Sequence, residues 1–284
     1  MGNPVDVVQI SRQYVNKVLY QTVFGCTDPA GEEEFAKMSR DLRNSDSGKF
    51  HVPDWLKRLI ATKSEYKHAA DYFRNLVRQN KNNQVDSFLK LLVASCPDWD
   101  ESMIVAHCTV FLTGGFTSTV TTIVFALYEL AKNPAIQRQL REEINDCPTM
   151  KDRLDNSYLD CVVNEVLRKY SPFPAVLRQY EGGTISAIPV SGIHHDPSTY
   201  ADPDKFIPER FFTKPSNRSK FLPFGIGKRK CLGEHFAILI IKTFVVSVLT
   251  KSTLELGVHE PLVISPGKFT TTVSKMELIV REQQ

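Results

Sequence analysis

The sequence predicts a mainly α-helical protein with minor β structure, and three observations carry that reading. Apolar side chains recur at helical spacing through the first hundred residues. Residues 102–128 then form one long stretch without a single Asp, Glu, Lys or Arg, and short β-like pieces appear only after Arg178.

In chain order, Val5, Val8, Ile10, Tyr14, Val18, Leu19 and Val23 outline a first helix. The segment "FGCTDPAGEEEF" supplies a turn, with Asp28 and Pro29 as breakers. Further helices are expected from "EEEFAKMSRDL", "WLKRLIATKSEYKHAADYFRNLVRQ" and "VDSFLKLLVAS", separated by the polar segments "RNSDSGKFHVPD" and "NKNN". The uncharged stretch from Ser102 to Tyr128 is long enough to cross a bilayer. Its many Ser and Thr residues and its central Gly114-Gly115 favour a helix through a protein core, with a membrane-spanning interaction protein as the competing class. Asn133-Pro134 stops this helix and starts the next, and "SYLDCVVNEVLRKY" follows as an amphipathic helix. From Arg178 to Phe221 the chain turns irregular around pieces such as "TISAIPV", and "KFTTTVSKMELIVRE" alternates like a strand pair.

With 284 residues, 42% hydrophobic and 24% charged, the chain can bury a large core as one large domain or two small ones. A net charge of +3 is too small to imply nucleic acid by itself. The six cysteines (Cys26, Cys96, Cys108, Cys147, Cys161 and Cys231) are scattered with no CxxC pair, which fits reduced thiols and argues against a disulfide framework or a zinc site. The start, "MGNPVDVVQIS", shows neither a signal-peptide pattern nor a myristoylation motif.

Cys231 is the residue that asks for chemistry. A cysteine ligates or attacks as thiolate, which nearby cations, amide donors and a helix N-terminus favour. Lys228, Arg229 and Lys230 precede it, and a helix is expected to begin near Gly233-Glu234. Gly225, Gly227 and Gly233 suit sharp turns or close approach to something flat. A buried structural cysteine beside a basic turn is the plain competing reading. A phosphate-binding loop does not fit, because "GIGKR" lacks the required glycine spacing and the Ser or Thr that would hold magnesium. A Cys-His-Asn hydrolase has no local signature.

The run Phe224-Gly225-Ile226-Gly227-Lys228-Arg229-Lys230-Cys231-Leu232-Gly233 resembles the FxxGxRxCxG heme-binding loop of the cytochrome P450 family at every fixed position. Glu165 and Arg168 resemble the family's ExxR pair, Pro208-Glu209-Arg210-Phe211 its PERF element, and "FLTGGFTSTVTT" its long distal helix. The wording is most similar to the microsomal, insect detoxification-type branch. The resemblance implies one domain over residues 1–284, with a helical region over 1–101 and a heme-binding core over 102–284. It likewise implies the C-terminal portion of the fold, without the N-terminal anchor and first helices and strands. It further implies heme b with Cys231 as axial thiolate on the iron, Arg229 and Arg178 on the propionates, and Phe224, Gly225 and Gly233 shaping the loop. Glu165, Arg168 and Arg210 form the supporting network. By the same resemblance Ser118 with Thr117 and Thr119 would take part in oxygen activation, and Phe111, Phe116, Ala175, Val176, Leu177 and the "SPGKF" turn would contact the substrate.

The implied activity is a monooxygenase inserting one oxygen atom from O2 into a hydrophobic small molecule. Its electrons come from an NADPH-cytochrome P450 reductase at the cytosolic face of the endoplasmic reticulum. Three departures stand against it: the absent N-terminal part, Thr117 where the family carries an acid, and a shortened link between Arg178 and His194. A truncated, non-catalytic fragment that binds heme poorly is therefore the alternative.

Overall fold

The structure, a computed structural model, describes residues 4–46, 64–180, 183–213, 218–257, 264–266 and 271–282. The first part of the helix expected from "WLKRLIATK", Gly182 and most of the "SPGKF" turn lie outside these residues. The described chain divides into two compact units, residues 12–117 and residues 1–11 with 118–284.

The chain opens with β1 (Pro4–Asp6) and α1 (Val7–Phe24). The helix starts two residues later than the apolar spacing suggests. The reason is Asp6, whose carboxylate accepts from the backbone N–H groups of Val8 (3.0 Å) and Gln9 (3.3 Å), so that Val5 is left in the strand. There follow α2 (Pro29–Asp46), α3 (Ser64–Asn80), α4 (Phe88–Ser95) and the long α5 (Glu101–Lys132). Next come α6 (Pro134–Asn145), α7 (Met150–Leu154) and α8 (Ser157–Lys169). A hairpin of β2 (Val176–Gln179) and β3 (Ile185–Ile188) leads into the short α9 (Val190–His194). The chain ends with α10 (Glu234–Leu249), β4 (Ser252–Leu256), β5 (Ile264–Pro266), β6 (Thr271–Val273) and β7 (Glu277–Glu282).

Within residues 12–117 the core is aromatic. Phe35 is fully buried against Tyr20, Phe24 and Phe73, with ring centroids 5.1, 5.8 and 5.9 Å away. Such edge and tilted pairs add to the area they bury. Gly25 ends α1 at φ +73°, a left-handed conformation that residues with a Cβ rarely adopt.

In the other unit β7 lies between β1 and β4 in an antiparallel sheet, with Leu278 buried between Val5 and Leu256. The two C-terminal strands expected to pair with each other do not. β6 pairs with β5, and β7 with β1 and β4, because alternation marks a strand but not its neighbour. Among the described residues α5 is the one helix long and apolar enough to cross a membrane, yet 61% of its most apolar window is buried in the protein. Its C-terminal half is held in this unit by a buried polar cluster. Glu129 accepts from Lys169 Nζ (2.8 Å), Asn133 Nδ2 (2.9 Å) and the Tyr170 hydroxyl, and the Tyr170 ring stacks on Phe125.

Truncating Phe35 to alanine opens a void in the centre of the aromatic cluster. It is expected to cost about 3–5 kcal/mol, read as a lowered urea midpoint by circular dichroism.

Candidate functional site

The loop bearing Cys231 is shaped by glycines at left-handed backbone. Gly225 and Gly227 have φ of +74° and +77°, a region disfavoured by about 1–2 kcal/mol for residues with a Cβ. Gly225 N donates to Leu222 O (3.2 Å), Lys230 N to Gly227 O (3.1 Å) and Cys231 N to Phe224 O (2.9 Å), so the loop folds back on itself ahead of α10. Phe224 and Gly233 are half-buried, whereas the Cys231 thiol is exposed. Lys228 and Arg229 are exposed, and the Lys230 ammonium pairs with Glu234 in the first turn of α10. Ile226 and Leu232 expose 54% and 88% of their surface, and a Cβ built on Gly225 or Gly227 meets nothing within 4 Å. The loop therefore offers an open thiol, apolar side chains facing outward, and free space where side chains would otherwise sit.

Behind the loop lies the opposite environment. Glu165 and Arg168, three residues apart on α8, are fully buried and joined by two hydrogen bonds, Nε to Oε2 at 2.7 Å and Nη2 to Oε1 at 2.9 Å. The α8 that carries them is fixed at its start by Asn156, whose side chain caps Leu159 N (2.9 Å). Glu165 Oε1 also accepts from Ile207 N (2.9 Å) and Arg210 Nε (3.3 Å). Arg168 donates on to the carbonyls of His194 (2.9 Å) and Pro203 (2.8 Å). Tyr158 adds a second tie to the Pro208–Phe211 turn through Glu209 (2.9 Å). The three residues expected to form a network are thus brought together.

Sequence reasoning missed His194. Its ring is fully buried and accepts at Nε2 from Leu222 N (2.8 Å), at the entry to the Cys231 loop. Burial pushes its pKa down to about 4, and the nearby Arg168 guanidinium acts in the same direction. No local pattern separates His194 from the half-buried His195 beside it, because its partner lies 28 residues away.

Thr117, Ser118 and Thr119 sit on the unbroken α5, the first two half-buried and Thr119 buried. Two buried threonines after them divide: Thr122 bonds back to Ser118 O (2.9 Å), while Thr121 reaches Thr271 O (3.3 Å). Phe111 stacks on Phe88 (4.5 Å between centroids) and Phe116 is buried, both within residues 12–117. Ala175 and Leu177 are exposed and Val176 is half-buried at the start of the β2–β3 hairpin. Arg178 stands opposite Ser186 in that hairpin and bonds to Leu177 O (2.9 Å).

A family model described as cytochrome P450 matches residues 2–280. The chain belongs to the cytochrome P450 family. Cytochrome P450 3A31 of Mesocricetus auratus is 30% identical over 89% of this chain and 60% of its own length. Probable cytochrome P450 6a13 of Drosophila melanogaster is 31% identical over 86% of this chain and 58% of its own length. The chain thus spans about three fifths of these curated relatives. A crystal structure of the cytochrome P450DA heme domain shares the fold with a TM-score of 0.84 at 19% identity, covering the whole chain and 69% of that domain. Heme is the cofactor of the P450 family, and the residues around Cys231 fit it. An unobstructed thiol serves as a soft ligand for iron, the exposed Ile226 and Leu232 suit an apolar macrocycle, and Arg229 suits its carboxylates.

Two outcomes are expected for the buried network. Glu165→Gln leaves the fully buried Arg168 without its countercharge and should cost about 3–5 kcal/mol by urea denaturation, whereas Glu165→Met combined with Arg168→Leu should cost less than the sum of the single changes. The second concerns pH. His194 binds its proton near pH 6.5 when unfolded but only near pH 4 in the fold. The unfolded chain therefore holds more protons between these values, and stability falls as pH drops from about 6.5 toward 4. Thermal midpoints across this range should fall less steeply in His194→Gln than in the wild type.

Proposed function

We propose that this chain is the heme-binding portion of a heme-thiolate monooxygenase acting on hydrophobic small molecules. The observation that carries the reading is the contrast at Cys231: an exposed thiol flanked by outward-facing apolar residues, on a loop backed by a fully buried ionic network.

When bound, heme would supply the iron at which O2 is reduced and one oxygen atom is passed to substrate. Cys231 would ligate that iron as thiolate, and Arg229, with Arg178 from the hairpin, would donate to the propionates. Phe224, Gly225 and Gly233 would keep the loop close to the macrocycle. Ser118, flanked by Thr117 and Thr119, would pass protons toward the oxygen-binding side through its hydroxyl. Phe111 and Phe116 in one unit, and Ala175, Val176 and Leu177 in the other, are the apolar residues assigned to substrate contact. Electrons would come from an NADPH-dependent flavoprotein reductase, whose acidic surface would be steered by the exposed Lys228 and Lys230, at the cytosolic face of the endoplasmic reticulum.

The test is the absorption spectrum of the ferrous carbon monoxide complex after expression with added heme. A strongly red-shifted Soret band is expected from the wild type and its loss from Cys231→Ser. Absence of heme from the wild type, or an identical spectrum in the variant, would sink the reading and leave a non-catalytic chain.

A further inference from the structure

We infer that His194 is a positioning residue for the Cys231 loop, working as a neutral imidazole whose Nε2 holds the backbone of Leu222. Its effect on heme rests on the proposed function, while its effect on the loop does not.

The inference starts from an apparent extravagance. His194 is fully buried, and among the described residues its Nδ1 finds no partner of good hydrogen-bond geometry, although the backbone of Arg168 and Leu167 acts on the ring from nearby. Because Leu222 N donates to Nε2, the ring proton must sit on Nδ1, so the atom without a well-placed acceptor is an N–H. A buried donor without a well-placed acceptor is destabilising, a cost that a leucine or phenylalanine in the same space would avoid. What an apolar residue cannot do is accept from Leu222 N, and that bond is the use to which the imidazole is put.

The position of that bond gives it reach. The backbone carbonyl of His194 is gripped by Arg168 Nη1 (2.9 Å), and its ring is flanked by Phe221 (5.4 Å between centroids). One residue is thus anchored by its main chain to the buried ion pair and by its side chain to the loop. From Leu222 the series continues with Gly225 N on Leu222 O (3.2 Å) and Cys231 N on Phe224 O (2.9 Å). Ordinary hydrogen bonds and the intervening backbone therefore connect Arg168 to the residue that bears the thiol. The charged and titratable groups that act on the ring are Arg168 and His195. Arg168 and His195 oppose a second proton on the ring, which keeps Nε2 an acceptor.

Two substitutions separate holding the loop from filling space. His194→Leu removes the acceptor, while His194→Gln can place an amide oxygen near the former Nε2. Amide hydrogen exchange across residues 221–233 and the alkylation rate of Cys231 are measured on the heme-free protein. His194→Leu is expected to raise exchange at Leu222 and Cys231 by about tenfold and to change the alkylation rate, with His194→Gln staying close to wild type. Wild-type exchange in His194→Leu, or equal loosening in both variants, overturns the inference. Should His194→Leu not fold, His194→Gln decides alone: retained protection at Leu222 supports the role, and lost protection overturns it. In heme-loaded protein the red-shifted share of the carbon monoxide spectrum should fall in His194→Leu and persist in His194→Gln. A wild type without heme would refute the proposed function while leaving the exchange result to stand or fall by itself.

Discussion

The buried Glu165–Arg168 pair is the constraint on which the rest of its unit depends. Moving two charges out of water costs several kcal/mol per ion, and their attraction repays that only when the remaining donors and acceptors are also satisfied. Glu165 meets this by taking Arg168, Ile207 N and Arg210, and Arg168 by reaching the carbonyls of His194, Pro203 and Lys205. Those partners come from backbone with little regular secondary structure. The chain between β3 and the Cys231 loop has few ladder bonds of its own, so the ion pair supplies what a sheet would otherwise provide. Tyr200, with its ring 5.2 Å from the Arg168 guanidinium, and the Tyr158–Phe212 stack close the same wrap with aromatic surface.

From this anchored wrap follows the character of the site. One side of the Cys231 loop is tied through His194 to groups with no solvent exposure, and the other presents the thiol, Ile226 and Leu232 to solvent. A ligand loop benefits from this asymmetry. Geometry fixed before binding spares the ordering cost when a cofactor arrives, and open apolar side chains supply the area that drives its association. The left-handed glycines make the tight fold-back compatible with a thiol that is not covered by its own loop.

The parts of this arrangement written in local spacing were legible in the sequence. Cys231 with its glycines and cations, and Glu165 with Arg168 one helical turn apart, announce themselves because their chemistry sits within a few residues. Contacts between distant segments were not. The alternation of the C-terminal segment predicted strands without saying that β7 would be the middle strand between β1 and β4. His194 looks no different in sequence from His195, and only the approach of Leu222 gives it a task. Asp6 falls between these cases: a helix-capping residue type at the right place, overridden by the apolar spacing that extends through Val5.

The long helix α5 shows how such commitments bear on the proposed chemistry. Its only acidic residues are Glu101 and Glu129. Glu101 is paired with Arg78 (2.8 Å), and Glu129 is consumed by Lys169, Asn133 and Tyr170. Glu129 also lies eleven residues beyond Ser118, about 16 Å along the axis at 1.5 Å per residue. Neither carboxylate of this helix is therefore available to a proton relay at Ser118. A relay there would run from hydroxyl to hydroxyl through Thr117, Ser118 or intervening water, groups that move a proton readily but do not store one near neutral pH. Delivery of protons would then follow the access of water to the helix face rather than the titration of a resident acid. The open, half-buried setting of Thr117 and Ser118 suits that mode better than the closed one of Thr119, Thr121 and Thr122.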